Sequence, residues 1–214
     1  MKIYDLSPEI NSNMVVYRDK PENIPKLRII RKIGSTDEKA VANESVIEIY
    51  AHTGSHVDAP YHFLEDGNTI DEIGLEKFFG EAVVLDFTSE KDSIRKSGLE
   101  KFEKEIKEGI IILLKTKNKI PKTFDFGFTY LEKSGAEYLA SKKVKAVALD
   151  SLSIERNQPD YGTHKELLSN AIPIFEGLNL SKVKPGKYIF YGFPLRIGKC
   201  DGSPIRAVLV DMHS

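Results

Sequence analysis

Residues Ile110 to Leu114 read IIILL and are apolar at every position. A strand without a polar side is stable only where both faces are covered, so this run requires layers packed above and below a sheet. The run Val46 to Tyr50, VIEIY, alternates instead, as a strand does when one face meets a polar environment. Both kinds together predict a mixed sheet. Further β-branched runs at Leu27 to Ile33, Ser45 to Tyr50, Ala82 to Phe87, Val144 to Leu149, Tyr188 to Tyr191 and Ile205 to Val210 read as strands. Capping signals at Ser97/Glu100, Thr129/Glu132 and Thr163/Glu166 introduce helical patterns in LEKFEKEIKE, YLEKSGAEYLAS and LLSN. The expected fold class is α/β, a mixed β-sheet flanked by helices.

No Pro/Gly/Ser-rich linker, low-complexity tract or repeat interrupts the 214 residues, which predicts a single domain over 1–214. Lys plus Arg number 31 against 32 for Asp plus Glu, so no overall field draws in nucleic acid or an anionic membrane. The lysines at 101, 104, 107, 115, 117, 119 and 122 are interleaved at first with Glu100, Glu103, Glu105 and Glu108, and read as a solvated helix face. One cysteine, Cys200, rules out an internal disulfide and every thiolate-rich zinc site. It has no nearby histidine to make it a nucleophile. The opening MKIYDLSPEI has no apolar core of a signal peptide, and IIILL is far too short to cross a bilayer. A soluble, cytoplasmic protein is expected.

Chemistry concentrates in AHTGSHVDAPYHF, where His52, His56, Asp58 and His62 fall within eleven residues. A random window of that length would hold about a quarter of a histidine at this composition. Imidazole nitrogens with a carboxylate form a typical donor set for zinc or another first-row divalent ion. Fully extended, the chain would separate His52 from Asp58 by about 20 Å, whereas metal bonds are about 2 Å. A continuous helix would pair His52 with His56 but turn Asp58 away, and Pro60 disfavours a helical Ala59. The segment therefore bends, and Gly54 is free to take the required backbone conformation. Ordinary loop histidines are the plain alternative. A structural metal site would usually be closed by thiolates, and Cys200 is distant, so an open, reactive metal site is expected. His164, in YGTHKELLSN, precedes Glu176 by twelve residues, and Glu176 follows the apolar PIF, where a buried charge needs a partner. His213, next to the C-terminus, is expected to be solvent-exposed.

These residues resemble a known family. HTGSHVDAPYHF is similar to the HxGTHxDxPxHF signature of the kynurenine formamidase and cyclase family of metal-dependent hydrolases, with Ser55 where threonine is usual. The likeness extends to His164 with its LL pair, to Ile174 through Leu178, to FPLRI and DGSPIRAVLV near the end, and to IYDLSPEI at the start. It implies a swivelling β/β/α fold, often assembled as a homodimer or homotetramer, holding one or two zinc or manganese ions. By position it implies His52, His56, Asp58, His164 and Glu176 as metal ligands, with Asp58 able to bridge two ions, and His62 as the catalytic histidine. The implied reaction is hydrolysis of an amide-type C–N bond in a small molecule, an aryl formamide such as N-formylkynurenine or a cyclic amide such as isatin. Metal-activated water would attack, and His62 would act as acid and base.

Where the family often reads VWPGD in an early loop, this chain has MVVYRDKP, so Tyr17 would form an aromatic wall and Arg18 a counter-charge for a substrate carboxylate. Tyr61 and Phe63, which flank His62, are equally suited to core packing. Serine hydrolase, P-loop, dinucleotide and zincin motifs do not occur. The competing expectation is a catalytically inactive, metal-retaining ligand-binding or interaction protein of the same fold. A retained His62 beside a full ligand set favours catalysis.

Overall fold

The computed structural model describes residues 1–35, 40–117 and 123–212. The expectations for His213, Lys119 and Lys122 lie outside them. The strands are β1 (Lys2–Asp5), β2 (Lys26–Arg31), β3 (Glu44–Glu48), β4 (His56–Asp58), β5 (Phe79–Asp86), β6 (Ser93–Ile94), β7 (Ile111–Lys115), β8 (Tyr130–Leu131), β9 (Ala146–Leu149), β10 (Ile174–Glu176), β11 (Gly186–Tyr191), β12 (Gly202–Pro204) and β13 (Val208–Asp211). The helices are α1 (Lys96–Leu99), α2 (Lys133–Ser141) and α3 (Gly162–Ser169). Nine strands make one sheet in the order β1-β13-β11-β5-β7-β9-β10-β4-β12. The middle run β5-β7-β9-β10 is parallel, and strands on both sides of it are antiparallel, so the expected mixed sheet is present with IIILL at its centre, while VIEIY lies outside it in β3.

Alternation along the parallel strands divides the core. Ala82, Val84, Ile111, Leu113, Ala146 and Ala148 face one apolar cluster, and Val83, Leu85, Ile112, Leu114, Val147 and Leu149 face the other. Both sides of IIILL are therefore dry, as its composition required. The second cluster is closed by the helices through Leu99, Ala136, Leu139, Leu167 and Leu168. The first contains no residue of α1, α2 or α3; Val57, Phe175, Phe190 and Leu209 of the sheet itself fill it together with Leu6 and Phe78. Helices thus cover one face, and the sheet curls around the other.

The seven expected strand runs all contain strand, but the helix starts differ from expectation. Tyr130 and Leu131 pair with Ser93 and Ile94 as strand, so α2 begins only at Lys133. In LEKFEKEIKE, α1 gives way to a single 3-10 turn over Glu100–Phe102. Only Leu99, Phe102 and Ile106 anchor that stretch in the core, too little apolar surface to sustain a longer helix. None of the three expected capping boxes forms: Thr129 Oγ1 donates to the Glu90 carbonyl and Thr163 Oγ1 to that of Leu131, while no side chain caps α1. The capping box that does form joins Thr69 and Glu72.

β2 and β3 stand apart as a two-stranded antiparallel ribbon with every residue exposed. Leu27 lies opposite Ile47 and Ile29 opposite Ser45 on one face, whereas the other carries the Lys26–Glu48 and Arg31–Glu44 ion pairs. Among the described residues, no helix is long and apolar enough to cross a membrane.

Ile112 is fully buried at the centre of the sheet. Ile112→Ala is expected to lower unfolding stability by about 2–5 kcal/mol in urea titrations, by the transfer and cavity costs of a large-to-small core change.

Candidate metal centre

The chain leaves β3 at Glu48, turns through a Thr53 N–H to Tyr50 carbonyl hydrogen bond, and enters β4 at His56. Gly54 makes the bend at φ +63°, the left-handed region that glycine occupies without penalty. In β4, His56 and Asp58 share one face, and Val57 points into the core. β10 pairs with β4 so that Glu176 lies directly opposite His56. Gly177 then passes the Gly54 backbone so closely that a Cβ on Gly177 would lie 2.2 Å from the Gly54 carbonyl oxygen. Ser55 Oγ holds this crossing by donating to the Gly177 carbonyl at 2.8 Å.

His164 arrives from the first turn of α3, and His62 from the 3-10 turn Pro60–His62. The cap of α3 is Glu155, whose Oε2 accepts the Thr163 and His164 backbone N–H groups at 2.7 and 3.2 Å. A buried carboxylate there answers both the orphan donors and the positive end of the helix dipole. The other oxygen of Glu155 faces His164 Nδ1 at 3.4 Å.

The tertiary structure brings all five expected ligands together. His56 Nε2 lies 3.5 Å from Asp58 Oδ1 and 3.4 Å from Glu176 Oε2. His164 Nε2 lies 3.4 Å from Glu176 Oε1 and 3.8 Å from Asp58 Oδ2. Donors arranged tetrahedrally around an ion at about 2.0–2.1 Å stand about 3.3 Å from one another. The spacings thus fit coordination better than hydrogen bonding. Asp58 Oδ2 is buried with no hydrogen-bond partner among the described residues, a costly state that a cation would relieve. The two carboxylates divide their oxygens between a His56 side and a His164 side. His52 Nδ1 joins the first side, 2.8 Å from Asp58 Oδ1.

Imidazole orientation follows from the nitrogen turned away from this centre. His56 Nδ1 donates to the Gly54 carbonyl at 2.9 Å, so its Nε2 presents a lone pair. His52 Nε2 and His62 Nδ1 both meet Asp201 Oδ2, at 2.8 and 3.0 Å. Asp201 and Glu155 were not among the expected site residues. Asp201 opens the DGSP segment noted only for its likeness to closing strands, and Glu155 carries no sequence signal at all.

Charge is tightly balanced here. Burial opposes a charge on His52, but Asp58 and Asp201 outweigh it and push its pKa up to about 10. Burial likewise opposes a charge on His164, yet Glu155, Glu176 and Asp58 push it up to about 9. Burial raises Asp58 and Glu176, and their mutual repulsion raises Glu176 further, but the neighbouring histidines hold both below their ordinary values. Hydrogen bonds from His52 and His62 keep Asp201 well below the carboxylate range. The carboxylates thus favour positive charge at the centre, as protons on imidazole or as a divalent cation.

A cavity of about 470 Å³ opens onto these groups, with Tyr17, Arg18, Tyr50, His62 and Phe63 in its wall. Both expected early-loop residues are thus present. Arg18, at φ 57°, hydrogen-bonds to Asn157 Oδ1, and the Tyr17 ring packs edge-on against Phe124 with centroids 4.8 Å apart. Phe63 stacks on His164 at 4.2 Å and also packs against the helix-covered core cluster. A larger cavity of about 620 Å³ is lined by Gly54, Gly177 and Asp150 but by none of these histidines.

An α/β sheet carrying a buried histidine–carboxylate cluster at the floor of a cavity defines a protein of the metal-dependent hydrolase class. The chain belongs to the family described as "Putative cyclase", whose model matches residues 4–156. It is 28% identical over 209 residues to a kynurenine formamidase of Bacillus anthracis, covering 97% of each chain. A solved structure described as a potential metal-dependent hydrolase with cyclase activity matches at 37% identity and TM-score 0.87, over 97% of this chain and 96% of that one. An isatin hydrolase bound to the product analogue thioisatinate shares the fold at 20% identity and TM-score 0.85, over 97% and 91% of the two chains.

At pH 7 the metal-free centre holds protons on His52 and His164, and ligation requires these nitrogens bare. Zinc binding is therefore expected to release about two protons, and apparent affinity to rise from pH 6 to pH 8. Calorimetry in buffers of differing ionisation enthalpy measures the release; a count of zero would remove both residues from the ligand set.

Proposed function

We propose that this metal-dependent amidohydrolase cleaves an aryl formamide of the N-formylkynurenine type, with His52, His56, Asp58, His164 and Glu176 holding one or two zinc or manganese ions. The observation that carries this reading is that these five side chains form two donor groups joined at Asp58, His52–His56–Asp58 and Asp58–His164–Glu176, beside a cavity whose wall holds His62. Kinship with kynurenine formamidases supports the choice of an aryl formamide. When bound, a divalent cation supplies a nucleophile at neutral pH and polarises the scissile carbonyl.

The remaining work falls to the chain's own groups. His62, partly exposed to the cavity, takes a proton from the attacking water and returns it to the departing arylamine nitrogen. Tyr17 offers an aromatic face to the aryl ring, and Arg18 a positive charge to a substrate carboxylate. Phe63 and Leu152 line the same wall and reduce the water around the reacting groups.

N-formylkynurenine, simpler formanilides and isatin, assayed with zinc- or manganese-loaded protein, test the substrate class. His62→Ala is expected to lower kcat by about 10²–10⁴-fold with metal retained. Isatin as the only substrate turned over would select the cyclic-amide alternative. Metal retention without turnover of any amide or lactam would favour a binding protein.

The ribbon adds a proposal about assembly. An isolated two-stranded ribbon is marginally stable in water, and here Leu27, Ile29 and Ile47 leave one face apolar. The opposite face carries Arg28 beside the Lys26–Glu48 and Arg31–Glu44 ion pairs, so the apolar face is the adhesive one, and a second copy supplies the same face about a twofold axis. Light scattering after size exclusion is expected to give a dimer or its multiple, and Ile47→Asp a monomer; a monomeric wild type would overturn this.

A further inference from the structure

Asp201 is set between two histidines by backbone, not by chance of side-chain rotamer. Its carbonyl accepts the Ala59 N–H at 2.9 Å, and the next residue, Gly202, pairs opposite Asp58 across the β12–β4 ladder. The carboxylate is thereby presented to the centre from a segment 139 residues beyond His62. Oδ2 lies 3.0 Å from His62 Nδ1 and 2.8 Å from His52 Nε2, and Oδ1 accepts a weak hydrogen bond from Cys200 Sγ at 3.6 Å. The two imidazole rings lie 4.0 Å apart between centroids, at 33°.

An ionised carboxylate only accepts, so each nitrogen that meets Asp201 Oδ2 carries the hydrogen. A neutral imidazole has one N–H. With that hydrogen fixed on Nδ1 of His62, its Nε2 is left bare, which is the state an acid/base needs before it takes a proton from water. Without the carboxylate the ring would be free to turn, and the more usual Nε2–H tautomer would present a donor where an acceptor is needed.

We propose that Asp201 is a positioning residue: its Oδ2 holds His62 in the Nδ1–H tautomer, and through His52 ties that orientation to the metal centre. The inference rests on the reading of His62 as the acid/base of an amidohydrolase. The bland alternative is that Asp201 serves only His52, and through it metal retention.

Long-range ¹H–¹⁵N correlation of zinc-loaded protein labelled at histidine, with the His62 signals assigned from their loss in His62→Ala, reads the tautomer directly. Wild type is expected to show a protonated Nδ1 and a bare Nε2 at His62, and Asp201→Ala to shift His62 toward Nε2–H. Kinetically, Asp201→Ala is expected to lower kcat by about 10²-fold or more at full zinc occupancy, with KM changed less than about threefold. Asp201→Asn, which keeps an acceptor oxygen but not its charge, is expected to fall between the two.

An Nε2–H His62 in wild type, or an unchanged tautomer in Asp201→Ala, would overturn the proposal. So would a kcat loss that follows zinc loss and is restored by excess zinc. Should the wild type turn over no amide, the amidohydrolase reading fails, while the tautomer comparison still decides what Asp201 does.

Discussion

Two carboxylates, Asp58 and Glu176, are buried on neighbouring strands, faced by imidazoles and, at Glu176 Oε1, by the Ile154 N–H. An unpaired buried charge costs several kcal/mol, and two of like sign cost more. Everything around the site answers that constraint. Four histidines approach from a bent loop, strand β4, a 3-10 turn and a helix start, and two further carboxylates, Glu155 and Asp201, lie outside them. His52 thus stands between Asp58 and Asp201, and His164 between Glu176 and Glu155, whereas His56 turns its second nitrogen to the Gly54 carbonyl. Such a cluster is stable either with protons on His52 and His164 or with a divalent cation in their place, and the exchange between the two states is what couples the site to pH.

The sheet makes this cluster rigid. β10 joins the parallel middle run to β4: Ile174 and Phe175 pair with β9 on one side, and Glu176 with His56 of β4 on the other. Phe175 and Val57 lock both strands to the core from the opposite face. The close crossing of Gly54 and Gly177 then brings two backbones nearer than side-chain-bearing residues permit. Helices are confined to one side of the sheet, and only α3 reaches the site, where its first turn is capped by the same glutamate that faces His164. One carboxylate thus ends a helix and orients a ligand.

Local chemistry was legible where it depends on a few adjacent residues. IIILL announced a strand dry on both faces, and the density of histidines in AHTGSHVDAPYHF announced a donor cluster whose chain must bend at Gly54. Helix starts were misread because Ser/Thr with a following Glu is only a local offer. At Thr129 and Thr163 the hydroxyl found a carbonyl in a neighbouring strand or loop, and the helix N-terminus of α3 found Glu155. VIEIY showed its alternation correctly, but in the described chain its ribbon has no core on either face.

By itself the sequence determined the mixed α/β character and the bend at Gly54, and its likeness to a known family singled out His52, His56, Asp58, His164 and Glu176 as candidate ligands. Short-range periodicity, glycine's freedom at positive φ and a run of donor-bearing side chains are enough for that. Only the tertiary structure decided that Glu176 stands opposite His56, that the carboxylates divide their oxygens between two sides, and that Asp201 and Glu155 complete the imidazoles. Those facts are strand register and backbone approach between residues more than a hundred positions apart, or a helix cap eight positions upstream of its helix turn. No local pattern encodes a register, because it is set by which apolar faces fit together once the whole sheet has closed.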